Sequence, residues 1–152
     1  MPSGLRAEIT QTYLIPVKPS AGERNNLFTR GPHGGLSIRG VAFNGIRFDA
    51  PAPTHAILGA YTLAPFDDAG GHINLHAGYH YHAATGMGKR ISQEDGHAPM
   101  IGYAMDGFGL FAHLDESGLE ATDLDNCRGH HDEQRGYHYH VDKAGSNNFI
   151  NC

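Results

Sequence analysis

The sequence predicts a mainly β fold, a single domain spanning 1–152, built as an antiparallel β-sandwich or a partly closed barrel of short strands and hairpins. Three observations carry that expectation. Twenty-one Gly and eight Pro in 152 residues punctuate the chain too often for long helices. No segment sustains apolar residues at i, i+3, i+4 and i+7 over three turns. Short apolar stretches are instead separated by Asn-Gly and Asp-Gly dipeptides, at the spacing of a small β domain.

Taken in order, "AEITQTYLIPV" (7–17) alternates well enough to be a strand within an N-terminal region covering 1–39. "SIRGVAFNGIRFDA" places Val41 and Phe43 before Asn44-Gly45, with Ile46 and Phe48 after it. Asn-Gly suits a two-residue turn with positive φ, so a hairpin is expected there. "PMIGYAMDGFGLFAH" repeats the arrangement around Asp106-Gly107, between Ile101, Tyr103, Met105 and Phe108, Leu110. "ESGLEATDLD" (116–125) is the one stretch suited to a short helix.

The remaining elements carry the histidines. "GHINLHAGYHYHA" (71–83) and "GHHDEQRGYHYHV" (129–141) share Gly-His followed by Tyr-His-Tyr-His. His130 minus His72, His138 minus His80 and His140 minus His82 each give 58, and the same shift carries Gly71 and Gly78 onto Gly129 and Gly136. The match fits a duplicated unit and equally two hairpins converging on one need. Residues two apart in a strand point to one face, about 6.6 Å apart. His80 and His82 therefore lean toward one ion while Tyr79 and Tyr81 face the other way, and His72 lies far enough upstream to join them from a paired strand. His130, His138 and His140 repeat the trio.

Three neutral imidazoles with an open position suit catalytic zinc, and imidazole also suits copper, nickel or iron. Without thiolate clustering, a closed structural zinc site is not expected. The competing structural reading makes the Tyr core aromatics and the His ordinary polar strand positions; the repeat in step counts against it. For His33, His55, His76, His113 and His131 that ordinary reading is preferred. Spacing leaves open whether the six in-step His form two sites, one mixed site or a paired-metal centre. Asp106, at a Gly-flanked turn, is a candidate general base or a group orienting a His. His97 is a candidate additional ligand.

Composition narrows the partners. Eleven Lys and Arg against sixteen Asp and Glu give a formal charge of −5, with basic residues scattered, so nucleic acid is not an expected partner. No apolar run approaches the roughly 18 residues that span a bilayer, so no membrane span is expected. The opening lacks the charged start, apolar core and cleavage site of a secretory leader, so the protein either stays in the cytosol or has lost a leader. Cys127 and Cys152 could close a loop or remain thiols.

With these residues in view the chain resembles the YHYH-domain proteins, a family of mostly bacterial, often exported proteins. The resemblance runs from about Gly40 to Cys152, through "GVAFNGIRFDA", both Tyr-His strings, "HAPMIGYAMDGFGLF", "LDNCRGHH" and "FINC". It implies that His72, His80, His82, His97, Asp106, His130, His138 and His140 belong to a shared site. It also implies that Cys127 pairs with Cys152 and that the protein works outside the cytoplasm. Two departures stand out. Gly109 and Phe111 replace a Pro and a Tyr usual after Asp-Gly-Phe, so a polar contact is expected to be missing there, and the stretch from Asp49 to Gly70 is short. The family carries no established activity.

Three functions are therefore in play. The first is an extracytoplasmic metalloenzyme holding copper or zinc on two hairpins and acting on a small-molecule or saccharide substrate, as a copper oxidoreductase or a zinc hydrolase or lyase. Copper is favoured, because no second carboxylate marks a hydrolytic zinc site. The second is a non-catalytic copper or zinc carrier, buffer or sensor. The third is a surface interaction or carbohydrate-binding domain, disfavoured by the absence of Trp.

Overall fold

The computed structural model describes residues 9–28, 38–60 and 65–152. Eight short strands, β1 (Gly40–Ala42), β2 (Arg47–Phe48), β3 (Gly71–Asn74), β4 (Gly78–Tyr81), β5 (Met100–Ala104), β6 (Gly109–Phe111), β7 (Gly129–Asp132) and β8 (Gly136–His140), form one sheet that does not close. The order is β3-β4-β2-β1-β5-β6-β8-β7. The mainly β expectation holds. The sheet is mixed rather than antiparallel throughout, because β2 runs parallel to β4 and β6 parallel to β8. Each of these parallel pairs is reached by a crossover that includes an antiparallel hairpin strand, β3 or β7.

The strand order reads the same from either edge once β1 is matched with β5, β2 with β6, β3 with β7 and β4 with β8. A shift of 62 carries Gly40, Val41 and Ala42 onto Gly102, Tyr103 and Ala104, and the register pairs Gly40 with Ala104, Val41 with Tyr103 and Ala42 with Gly102. A twofold axis perpendicular to the sheet at Val41 and Tyr103 therefore relates the halves. The outer pairings obey it too: Phe48 faces Tyr81 and Leu110 faces Tyr139, which are shifts of 62 and 58. The chain is built as a twofold structural repeat, and the four-residue difference is absorbed in the connection between the second and third strands of each half.

The two central hairpins close with three-residue loops rather than the expected two-residue turns. Ala42 N–H bonds Ile46 C=O at 2.8 Å and Gly45 N–H bonds Ala42 C=O at 2.9 Å; Ala104 with Phe108, and Gly107 with Ala104, repeat this at 2.9 and 3.0 Å. Gly45 (φ 82°) and Gly107 (φ 97°) take the left-handed position such a loop ends on. Asn44 and Asp106 thus sit one place before the glycine that turns the chain.

Two expected elements are not formed. Residues 7 and 8 of the N-terminal stretch lie outside the described residues, and 9–17 form no strand. Leu14 (86 % exposed) and Val17 (94 %) find no face to bury against. "ESGLEATDLD" is a series of turns. Asp115 Oδ1 captures the N–H groups of Ser117 and Leu119 at 2.8 Å each, so side-chain acceptors take donors a helix would need. The described helix is instead α1 (Thr54–Ala60), all of it outside the core.

One face of the sheet carries the core, with Phe48, Tyr81, Leu110 and Tyr139 packed on Val141, Phe149 and Ile150. Alternation then sends Arg47, Asp49, His80, His82, His138 and His140 to the opposite face. Cys127 and Cys152 are joined by a disulfide across 25 residues of chain, which anchors the C-terminal segment beside the core. Replacing both Cys by Ser is expected to lower stability by about 3.5 kcal/mol, the loop-closure value for that length. Urea unfolding of the two proteins measures it; an unchanged midpoint would mean that the core alone fixes the C-terminus.

Candidate metal centre

Each Tyr-His string lies on a hairpin whose turn is set by one side chain. Asn74 Oδ1 accepts from His76 N–H at 2.9 Å and Ala77 N–H at 2.7 Å; Asp132 Oδ1 accepts from Gln134 and Arg135 N–H at 2.9 and 2.6 Å. Gly78 (φ 68°) and Gly136 (φ 64°) then turn the chain into the strand. The resulting register puts His72 directly opposite His80 and His130 directly opposite His138.

The tyrosines face the core, as alternation predicts. Tyr79 and Tyr137 donate to Asp67 and Asp125 at 2.8 Å, and Asp67 and Asp125 also accept the N–H groups of Gly71 and Gly129 at 3.1 and 2.9 Å. A Cβ on Gly71 or Gly129 would strike the Tyr79 or Tyr137 ring. That is why Gly precedes His72 and His130.

The imidazoles converge in two separate groups, His72, His80 and His82 at one end of the strand order, and His97, His130, His138 and His140 at the other. In the first group Nε2 of His72 lies 3.1 Å from Nε2 of His80 and 3.2 Å from Nε2 of His82. In the second, Nε2 of His130 lies 3.0 Å from that of His138 and 3.2 Å from that of His140, and His97 Nε2 lies 3.1 Å from that of His138. The six in-step His therefore fall into two groups rather than one, and His97 joins the second.

Tautomers follow from what the other ring nitrogens face. Nδ1 of His72, His80 and His82 lies on the carbonyls of Pro65, Gly78 and Ala50 at 3.0, 2.9 and 2.6 Å. Nδ1 of His97, His138 and His140 lies on those of Ala98, Gly136 and Ala112 at 3.0, 2.9 and 3.1 Å, and that of His130 on the Asp123 carboxylate at 2.8 Å. These oxygens only accept, so each Nδ1 carries the proton and a neutral ring leaves an Nε2 lone pair. Three or four such lone pairs about 3 Å apart repel unless a cation sits among them. Bonds of about 2.0–2.1 Å to a tetrahedral ion put ligand nitrogens about 3.3 Å apart, close to the observed spacing.

Burial keeps the rings neutral. It lowers the pKa of His82 and His138 to about 4 and, with neighbouring His97 and His138, that of His140 to about 3; it also lowers His80 and His97. Metal ligation needs the neutral form, so these rings are ready to bind well below the usual imidazole range.

Asp106 is not brought to either group. Its Oδ2 accepts from Tyr139 O–H at 2.6 Å, as Asn44 donates to the Tyr81 hydroxyl at 2.8 Å in the other half. It positions the tyrosine standing between His138 and His140 on the core side. Phe111, standing where a Tyr is usual in the family the chain resembles, sets its ring against His97 and His138 with centroids 4.8 Å apart. His55, His76, His113 and His131 join neither group, and His33 lies outside the described residues. Sequence reasoning missed Asp67 and Asp125, although they too are 58 apart. It also missed Asp49, Asp123 and Phe66, whose ring lies 5.8 and 5.4 Å from those of His72 and His82, and for which no repeat or motif gives a signal.

The sign of the acid response follows from the lowered values. Below pH 6.5 the unfolded chain takes up protons on His80, His82, His97, His138 and His140 that the fold refuses, down to about 4 for His82 and His138, so metal-free protein loses stability as pH falls through that window. Thermal unfolding of chelator-treated protein from pH 7.5 to 4 measures it. A midpoint that rises on acidification would contradict the buried neutral rings.

A family profile described as "YHYH protein" matches residues 12–123, more than two thirds of the chain. The match contains the first Tyr-His string and His97 and stops before the second string. No curated protein and no solved structure matches the chain significantly. On the extent of the profile match, this chain belongs to the YHYH protein family.

Proposed function

We propose that this protein binds two transition-metal ions, one at each histidine group, and acts outside the cytoplasm as a copper or zinc metalloprotein with enzymatic chemistry at a histidine-held ion. The observation that carries the reading is the set of seven imidazoles whose Nε2 atoms converge while every Nδ1 is tied to an oxygen. All-imidazole shells suit both metals. When bound, zinc would supply an activated water and copper one-electron chemistry.

The protein's own part is to hold geometry. Backbone carbonyls fix six of the seven ring planes, and His80, His82, His138 and His140 are almost wholly buried. Such anchoring favours a fixed centre over a carrier that hands ions along a surface. The disulfide supports an oxidising compartment.

Elemental analysis of untagged protein, dialysed against a weak chelator, tests the reading. The expected content is two equivalents of copper or zinc, falling to one in His80→Ala/His82→Ala and to one in His138→Ala/His140→Ala. Folded protein that cannot be loaded, or unchanged content in both variants, would remove these residues as ligands.

A further inference from the structure

The repeat makes the two centres comparable position by position, and they differ at the places that decide what an ion can do. Resting on the metal reading above, we infer that the centre on β3 and β4 keeps an open position for a small exogenous ligand, water or a monodentate anion, while the centre on β7 and β8 is closed. The first is the reactive centre and the second a structural one.

The first difference is ligand number. Among the described residues three imidazoles form the first group and four the second. His97 is the additional one. It stands next to Ala98, which is fully buried, and its Nδ1 is fixed on the Ala98 carbonyl. Four imidazoles complete a tetrahedron; three leave one corner for solvent or substrate.

The second difference is the wall. Asp49 and Phe111 are 62 apart and flank the outer ends of β2 and β6. Phe111 closes the second centre with an apolar ring against His97 and His138. At the matching place in the first centre Asp49 Oδ2 lies 3.9 Å from His80 Nε2 and 2.5 Å from Arg47, whose counterpart is Gly109. A carboxylate held by a guanidinium beside an open corner accepts a hydrogen bond from a protic ligand there. The second centre has a comparable pair, Asp132 held by Arg135 at 2.5 Å, but its four imidazoles leave no corner beside it, so the ligand count rather than the wall decides the difference.

The third difference is the anchor of the opposing His. His72 Nδ1 faces the Pro65 carbonyl, whereas His130 Nδ1 faces the Asp123 carboxylate, 58 residues on. A carboxylate on Nδ1 makes the imidazole a more basic ligand than a carbonyl does. The closed centre therefore also holds its ion more tightly.

Cobalt(II) and azide test this, because azide entering an open position shifts the visible bands of the ion. Full-length protein loaded with two equivalents of cobalt is expected to show a saturating azide response from one of them. His80→Ala/His82→Ala should abolish the response. His97→Ala, which leaves the buried hairpin ligands in place, should double it by opening the second centre. A weak chelator should strip the azide-responsive cobalt first. Two bound cobalt ions that respond alike, or that both stay silent, would overturn the inequality while leaving metal binding intact. Failure to bind cobalt at all would overturn the metal reading and the inequality together.

Discussion

A neutral imidazole carries one ring N–H, and once that N–H is committed as donor to a fixed acceptor the other nitrogen is left with its lone pair; this chain applies that constraint seven times. Each Nδ1–H is tied to a carbonyl or to Asp123, so each Nε2 is left with a lone pair whose direction the backbone sets. The turn side chains Asn74 and Asp132, the glycines beneath Tyr79 and Tyr137, and the aspartates that hold those tyrosines all serve to place carbonyl and ring together. Burial then lowers the pKa of five of the rings, which removes protonation as a way to relieve the crowding near neutral pH. That arrangement is what the metal proposal rests on.

The same constraint explains why the protein needs a sheet with its core on one face. Tyr81 and Tyr139 must be buried for the intervening His to point outward in a fixed plane. Their hydroxyls are met by Asn44 and Asp106, the residues of the central turns, so each central hairpin grips the strand that carries the ligands. Burial and Asp106 push the Tyr139 phenol up, which keeps it a donor to that carboxylate. The twofold repeat supplies two such grips from one design, and the divergence between them, Asp49 against Phe111 and Pro65 against Asp123, falls at the histidine groups rather than in the frame.

Much of this was legible in the sequence for physical reasons. Period-two alternation assigns His80 and His82 to one face and the tyrosines to the other, and the constant shift of 58 ties the third His of each group to its pair. The central hairpins were readable from Asn44-Gly45 and Asp106-Gly107, although the loop length was not, because the same dipeptide serves a two-residue turn or a three-residue loop. The missing helix at 116–125 and the missing N-terminal strand have one cause. Local pattern does not reveal that Asp115 will capture backbone donors, or that Leu14 and Val17 will find no apolar face. His97 looked ambiguous because its partners come from strands more than thirty residues away, and Asp106 looked like a base because the bond to Tyr139 is invisible without the fold.

The most direct measurement is X-ray absorption at the metal edge of protein loaded with two equivalents of zinc. Three imidazoles at one ion and four at the other require a shell of light atoms at about 2.0–2.1 Å with the multiple-scattering pattern of imidazole, averaging 3.5 rings per ion. His97→Ala should lower that average by half a ring. A shell dominated by carboxylate or water oxygen, or one containing sulfur, would contradict metal binding by the paired histidine hairpins.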